Sequence, residues 1–256
     1  MAYRTYSGVV GLKLPDELAT TEDMDIAKFY GISIWIDESM PDIEEILKKV
    51  DPTCAPSFSP DETKLFSGFA NATGFKVEFL TQNRGDEDYS SRLTQMPSLW
   101  QSVGAQLLRL LDYLIHEPIR SVVLHDAGVP VLVPAPERYA VHKLIIATKR
   151  NVFFADKAKK DINQAGALIQ TFNAVKRSSD LGFAWMERWE RGARWRRWLG
   201  VGALHLSDDT FDTLAKGVAE AAKLGGKPAE EYGLKGGKEG LLARVSIANP
   251  TASPTP

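Results

Sequence analysis

Two periodicities divide the chain: alternation of apolar and polar positions in its first half, and helical spacing in its second. Ile32, Ile34 and Ile36 alternate with Ser33, Trp35 and Asp37, which predicts a strand with one apolar face. Leu65 to Ala70 and Phe75 to Leu80 read as two further strands joined by an Asn71-Ala72-Thr73-Gly74 turn. In the second of them Phe75, Val77 and Phe79 share one face, leaving Lys76, Glu78 and Leu80 on the other. Val122 to Leu124 and Val129 to Val133 flank Asp126-Ala127-Gly128 as a hairpin would. Between these strands, Ile43, Ile46, Leu47 and Val50 fall on one helical face, opened by Pro41 and Asp42 and closed by Lys48 and Lys49. A leucine-rich helix through Leu107, Leu108, Leu110, Leu111 and Leu114 is predicted to end before Pro118, while Asp51 to Pro60 and Arg84 to Arg92 read as loops. From Pro136 to about Leu224 the spacing is helical throughout.

This change of period near Pro134-Ala135-Pro136 predicts an α/β domain over residues 1–134 and an all-helical domain over 135–248. Residues 249–256 have the composition of a disordered tail. The opening stretch, Tyr3 to Leu12, reads as the interior of a folded unit.

At 256 residues the chain is long enough for a sizeable core. Its net charge of -2 supplies no global attraction to nucleic acid or membrane, so any such attraction needs a local patch. A single cysteine, Cys54, excludes an intrachain disulfide framework. No signal-peptide pattern or bilayer-length apolar run is present, and a cytoplasmic protein without a membrane partner is expected.

The candidate chemistry starts at Thr20-Thr21-Glu22-Asp23-Met24-Asp25-Ile26. On a strand, Asp23 and Asp25 leave the same face while Met24 and Ile26 turn to the other. Carboxylates held that close repel unless a cation or a shared proton offsets the charge. A Mg²⁺ ion takes one or two carboxylates plus phosphate oxygens, so the pair suits a metal–nucleotide site. The same Asp-x-Asp spacing also occurs in solvated turns. Glu78 is a lone carboxylate on an apolar strand, either solvent-facing or, if its strand pairs beside the Asp23 strand, a third acid.

Three segments then occur in a telling order: Thr21-Glu22-Asp23-Met24-Asp25, Gly74 to Leu80, and Val133-Pro134-Ala135-Pro136-Glu137-Arg138-Tyr139-Ala140-Val141-His142-Lys143-Leu144, with Lys159-Lys160-Asp161-Ile162 downstream. Together they resemble the bacterial nucleotidyltransferase-fold proteins of the polymerase-β-like superfamily, over about residues 3–200. The resemblance implies a small mixed sheet flanked by helices, followed by a helical domain. It also implies a Mg²⁺ site, as a two-ion centre, on Asp23, Asp25 and Glu78, with an NTP as substrate. Lys143 and Asp161 match positions that related abortive-infection toxin nucleotidyltransferases need, which assigns them to nucleotide binding. The implied acceptor is an RNA end, a protein side chain or a small molecule. The superfamily's Gly-Gly, Gly-Ser or Gly-Thr turn has no match at Gly8 or Gly11, and Tyr3 to Gly11 resembles the segment on the C-terminal side of that turn. The turn itself is expected either upstream of Met1 or lost, and its loss would make the chain a binding module rather than an enzyme.

Phe183 to Leu199 carries Trp185, Arg188, Trp189, Arg191, Arg194, Trp195, Arg196, Arg197 and Trp198 on one predicted helix. Arg194, Arg196 and Arg197 are the nucleic-acid candidates, since arginine neutralises phosphates while tryptophan stacks on bases. The competing reading packs Trp185 and Trp189, one turn apart, into a helical core. His125 and His142 lack metal-ligand spacing and read as structural. Ser207 reads as a helix N-cap, and the Gly225-Gly226 and Gly236-Gly237 pairs as linkers.

Overall fold

A computed structural model describes residues 2–11, 13–21, 23–28, 43–58, 65–83, 93–96, 103–123 and 127–247. The strand expected at Ile32 to Ile36, the loop at Arg84 to Arg92, His125 and the tail at 249–256 lie outside the described residues. The chain forms two compact units, Thr20–His116 and Ala2–Ala19 with Glu117–Pro256. The architecture is mixed α/β with a helical C-terminal region.

The first unit is built on one mixed sheet. Its strands are β1 (Asp23–Ala27), β2 (Ala55–Phe58), β3 (Phe66–Ala70), β4 (Lys76–Gln82), β5 (Leu93–Gln95) and β6 (Gly104–Leu108). Strand β4 is the hub: it pairs parallel with β1 and β6 and antiparallel with β3. Alternation along β4 explains its place, because Val77 and Phe79 enter a core with Phe69, Met96, Val103 and Ala105, against which Met24 and Ile26 pack. The Asn71–Gly74 turn forms as expected, with the Asn71 side-chain oxygen accepting from the Thr73 and Phe75 amides. The amphipathic helix of the same unit, α2 (Ile43–Val50; α1 is Ala2–Val10), lays Ile43 and Leu47 of its predicted face against this core, while Val50 of that face is exposed.

Two expectations for the first unit are corrected by the fold. The leucine-rich helix over 107–114 is instead strand β6 followed by a single helical turn, α3 (Leu111–Leu114). Strand β6 is flanked by β4 and β5, and Val103 and Ala105 are fully buried, so a strand with little polar face mimics a buried helix in sequence. The loop predicted over Asp51 to Pro60 contains β2, whose Pro56 is tolerated because, among the described residues, β2 pairs on one side only.

Gly68 of β3 stands across from Glu78, and a Cβ there would lie 2.1 Å from the Val77 carbonyl oxygen. Gly68→Val is therefore expected to push β3 off β4 and cost about 1–3 kcal/mol, read from the urea unfolding midpoint. A midpoint equal to that of the parent protein would contradict this packing.

The second unit combines α1 (Ala2–Val10), a hairpin of β7 (Ile119–Val123) and β8 (Val129–Val133), and helices α4 (Pro136–Lys149), α5 (Ala155–Ala174), α6 (Ser178–Glu190), α7 (Ala193–Leu204), α8 (Asp208–Leu224) and α9 (Gly237–Ile247). Pro136 opens α4 at a position where its missing N–H costs nothing, and Ser207 caps α8 by accepting from the Thr210 amide. Helix α1 buries Tyr3, Tyr6 and Val10, and the Tyr6 hydroxyl donates to the Pro134 carbonyl oxygen at 2.9 Å. The segment from Phe183 to Leu199 is two helices, not one: Gly192, at φ +120°, separates α6 from α7 in a backbone conformation that other residues rarely adopt.

Candidate functional site

In the first unit, the parallel register of β1 and β4 sets Asp23 opposite Lys76 and Asp25 opposite Glu78. Neighbouring strands lie about 4.8 Å apart and registered residues leave the same face, so Asp23, Asp25 and Glu78 share one side of the sheet. The opposite side carries Met24 and Ile26 into the core with Val77 and Phe79. Asp25 is exposed, while Asp23 and Glu78 are half-buried. The Thr21 hydroxyl donates to Asp23 Oδ1 at 2.7 Å, orienting that carboxylate, and Lys28 N–H donates to the Leu80 carbonyl to continue the pairing past the acids.

This donor set is all carboxylate oxygen, which suits a hard divalent ion. Among the described residues no three His, Cys, Asp or Glu side chains converge on a metal position by themselves. Mg²⁺ does not require that, because phosphate oxygens and waters complete its shell around one or two carboxylates.

In the second unit, Asp161 on α5 joins two cations of α4 and its end. Lys143 Nζ lies 2.6 Å from Asp161 Oδ1, and Arg150 Nε lies 2.6 Å from Oδ2. The Asp161 side chain is 4% exposed, so both oxygens are committed inside the protein. Lys143 also sits 5.1 Å from the centre of the Tyr139 ring, and the Tyr139 hydroxyl donates to Gln164 Oε1. Burial pulls the Lys143 ammonium downward, but Tyr139 and Asp161 outweigh it and hold it above the ordinary lysine value. Lys143 is thus an anchored cation rather than a freely solvated one. Arg150 was not singled out by sequence; its place seven residues beyond Lys143, two turns along the same helical face, is the signal that marks it.

The Arg/Trp segment separates by exposure. Trp185 and Trp189 stack at 5.7 Å and are buried, their indole N–H groups donating to the Tyr232 and Glu231 carbonyls. Arg188 is also fully buried, its guanidinium 3.9 Å from the centre of the Trp195 ring. Arg194, Arg196 and Arg197 are exposed, with Arg194 over Trp198 at 4.7 Å and Arg196 Nε donating to the Trp189 carbonyl. Lys149 of α4 lies 4.9 Å from the other member of that contact, the Trp198 ring.

His142 is half-buried, and its Nδ1, shut off from solvent, has no hydrogen-bond partner among the described residues. Burial pushes its imidazole well below the ordinary histidine value, and the charges of Lys143, Arg188, Lys149 and Arg150 add to the shift. A depressed histidine value means the unfolded chain takes up a proton that the fold does not. Its contribution is intact above about pH 6.5 and is lost as pH falls below it, by about 1.4 kcal/mol per pH unit at most. Unfolding midpoints compared at pH 7.5 and pH 5.5 should show this acid loss shrinking in His142→Gln. Glu137, whose carboxyl burial pushes up, titrates in the opposite sense but is common to both proteins. An identical acid loss in parent and variant would contradict the assignment.

No described helix is long and apolar enough to cross a membrane. No curated protein and no solved structure matches the chain significantly. A family model described as nucleotidyltransferase matches residues 1–190, which cover both the β1–β4 acids and the Lys143–Arg150–Asp161 cluster. The chain therefore belongs to this nucleotidyltransferase family.

Proposed function

We propose that the protein moves an NMP unit from an NTP to an acceptor in a Mg²⁺-dependent reaction, with Asp23, Asp25 and Glu78 as the metal-holding acids. The observation that carries this reading is the parallel β1–β4 register, which sets Asp25 opposite Glu78 with Asp23 two residues along the same face. Bound ions would supply Lewis-acid polarisation of phosphate oxygens and neutralise the departing pyrophosphate. The chain's own part is to hold the acids still. Met24 and Ile26 anchor β1 in the core, and Thr21 fixes the Asp23 carboxylate. Within the helical unit, Lys143 is a compact cation of the kind that pairs with phosphate oxygens, and Asp161, with both oxygens occupied, sets where it stands.

Calorimetric titration of NTP with and without Mg²⁺ tests this. Binding should require the metal and should vanish in an Asp23→Ala, Asp25→Ala protein; equal binding by both proteins would end the reading.

A second reading, a catalytically incomplete member that binds nucleic acid or a protein, draws support from the exposed Arg194 and Lys149 beside Trp198. It expects salt-dependent RNA binding that survives loss of both aspartates and disappears when Arg194, Arg196 and Arg197 are replaced. No RNA binding at low salt would dismiss its nucleic-acid form.

A further inference from the structure

We propose that Arg150 and Lys143 together form a polyphosphate subsite on the helical unit, with buried Asp161 as the tether that holds both cations in place. The inference rests on the nucleotidyl-transfer reading only for its natural ligand, the phosphate tail of a nucleotide.

The charge balance of the cluster is the starting point. Two cations share a single carboxylate, so the triad carries a surplus positive charge. A lone ion pair would already satisfy Asp161. A second cation drawn onto the same carboxylate adds repulsion between Lys143 and Arg150, and that repulsion is relieved when an anion joins them. Exposure is graded in the sense that such a site needs. Asp161 is 4% exposed, whereas the Lys143 and Arg150 side chains are 18% and 27% exposed. The negative group is thus shut in, and the positive groups keep access to solvent.

The donor geometry agrees. Arg150 reaches Asp161 through Nε, and among the described residues its Nη1 and Nη2 atoms make no hydrogen bond. That leaves the forked end of the guanidinium, which matches two phosphate oxygens at once. Lys143 contributes a rotating point charge, but its position is fixed from below. Tyr139 lies beneath its ammonium and is itself held through Gln164, whose amide donates to the Leu18 carbonyl at 2.6 Å. Two cations arriving from positions seven residues apart, converging on one tether, favour a ligand with several linked phosphates over a single one.

The test is calorimetric titration of the full chain with inorganic tripolyphosphate at low salt in the presence of EDTA, which reads the subsite without metal or nucleoside. The parent protein should bind, and Arg150→Gln and Lys143→Gln should each weaken binding about tenfold. Lys216→Gln, an exposed lysine on α8, should leave it unchanged. Arg150→Lys, which keeps the charge on Asp161 but removes the fork, should weaken binding several-fold and is the deciding variant if Arg150→Gln does not fold. Parent-like affinity in the folded Arg150 variants would overturn the proposal, as would an equal loss in Lys216→Gln, since that would mean diffuse attraction. If the Asp23→Ala, Asp25→Ala protein binds tripolyphosphate like the parent while losing Mg²⁺–NTP binding, the subsite and the transfer reading both hold. If tripolyphosphate affinity ignores Arg150 while Mg²⁺–NTP binding still needs the aspartates, the subsite alone fails.

Discussion

Replacing Asp23 and Asp25 together with alanine is expected to lower NTP-dependent pyrophosphate release by about three orders of magnitude, or roughly 4 kcal/mol of transition-state stabilisation. The loss follows from where the two side chains stand: both leave the face of β1 that also carries Glu78 across the pairing. The strand is anchored in the core by Met24 and Ile26, which pack on the opposite side against the Val77 and Phe79 cluster. The double variant should therefore stay folded, losing no more than about 1–2 kcal/mol as the Thr21–Asp23 hydrogen bond goes. Pyrophosphate release at the parent rate from a folded double variant would remove these acids from the chemistry.

Asp161→Ala is expected to have the largest effect on stability, about 3–5 kcal/mol in urea unfolding, because it leaves Lys143 and Arg150 close together without their shared counter-charge. The burial of the carboxylate sets the scale. The Lys48–Glu44 pair on α2, with side chains 50% and 33% exposed, should cost no more than about 1 kcal/mol when Glu44 is replaced. An Asp161→Ala midpoint no lower than that of Glu44→Ala would show that the triad is solvated and contributes little.

Local periodicity made much of the site readable in the sequence. Asp23 and Asp25 alternate with Met24 and Ile26, and Glu78 interrupts the apolar alternation of Val77 and Phe79, so the face on which each acid stands follows from strand geometry alone. The pairing of β1 with β4 did not follow: about fifty residues separate them, and no local pattern records which strands become neighbours. Lys143 and Asp161 were marked by family likeness, whereas Arg150 escaped because a lone arginine at a helix end looks like ordinary solvation until Asp161 is seen to reach it. The misread elements have separate causes. In β6 the Gly104–Leu108 run is enclosed by strands on both sides, so it loses the polar alternation that announces a strand. In the Arg/Trp segment a single glycine, Gly192, divides two helices whose side chains continue the helical spacing on either side.

Electron paramagnetic resonance of Mn²⁺ in the presence of a non-hydrolysable NTP analogue reads the acid face most directly, since bound and free Mn²⁺ give separate signals. The parent protein should hold Mn²⁺ in a nucleotide-dependent way, and Glu78→Gln and Asp25→Asn, which face each other across the β1–β4 pairing, should each weaken it markedly. Unchanged Mn²⁺ binding in both variants would contradict the claim that these facing acids form the metal–nucleotide site.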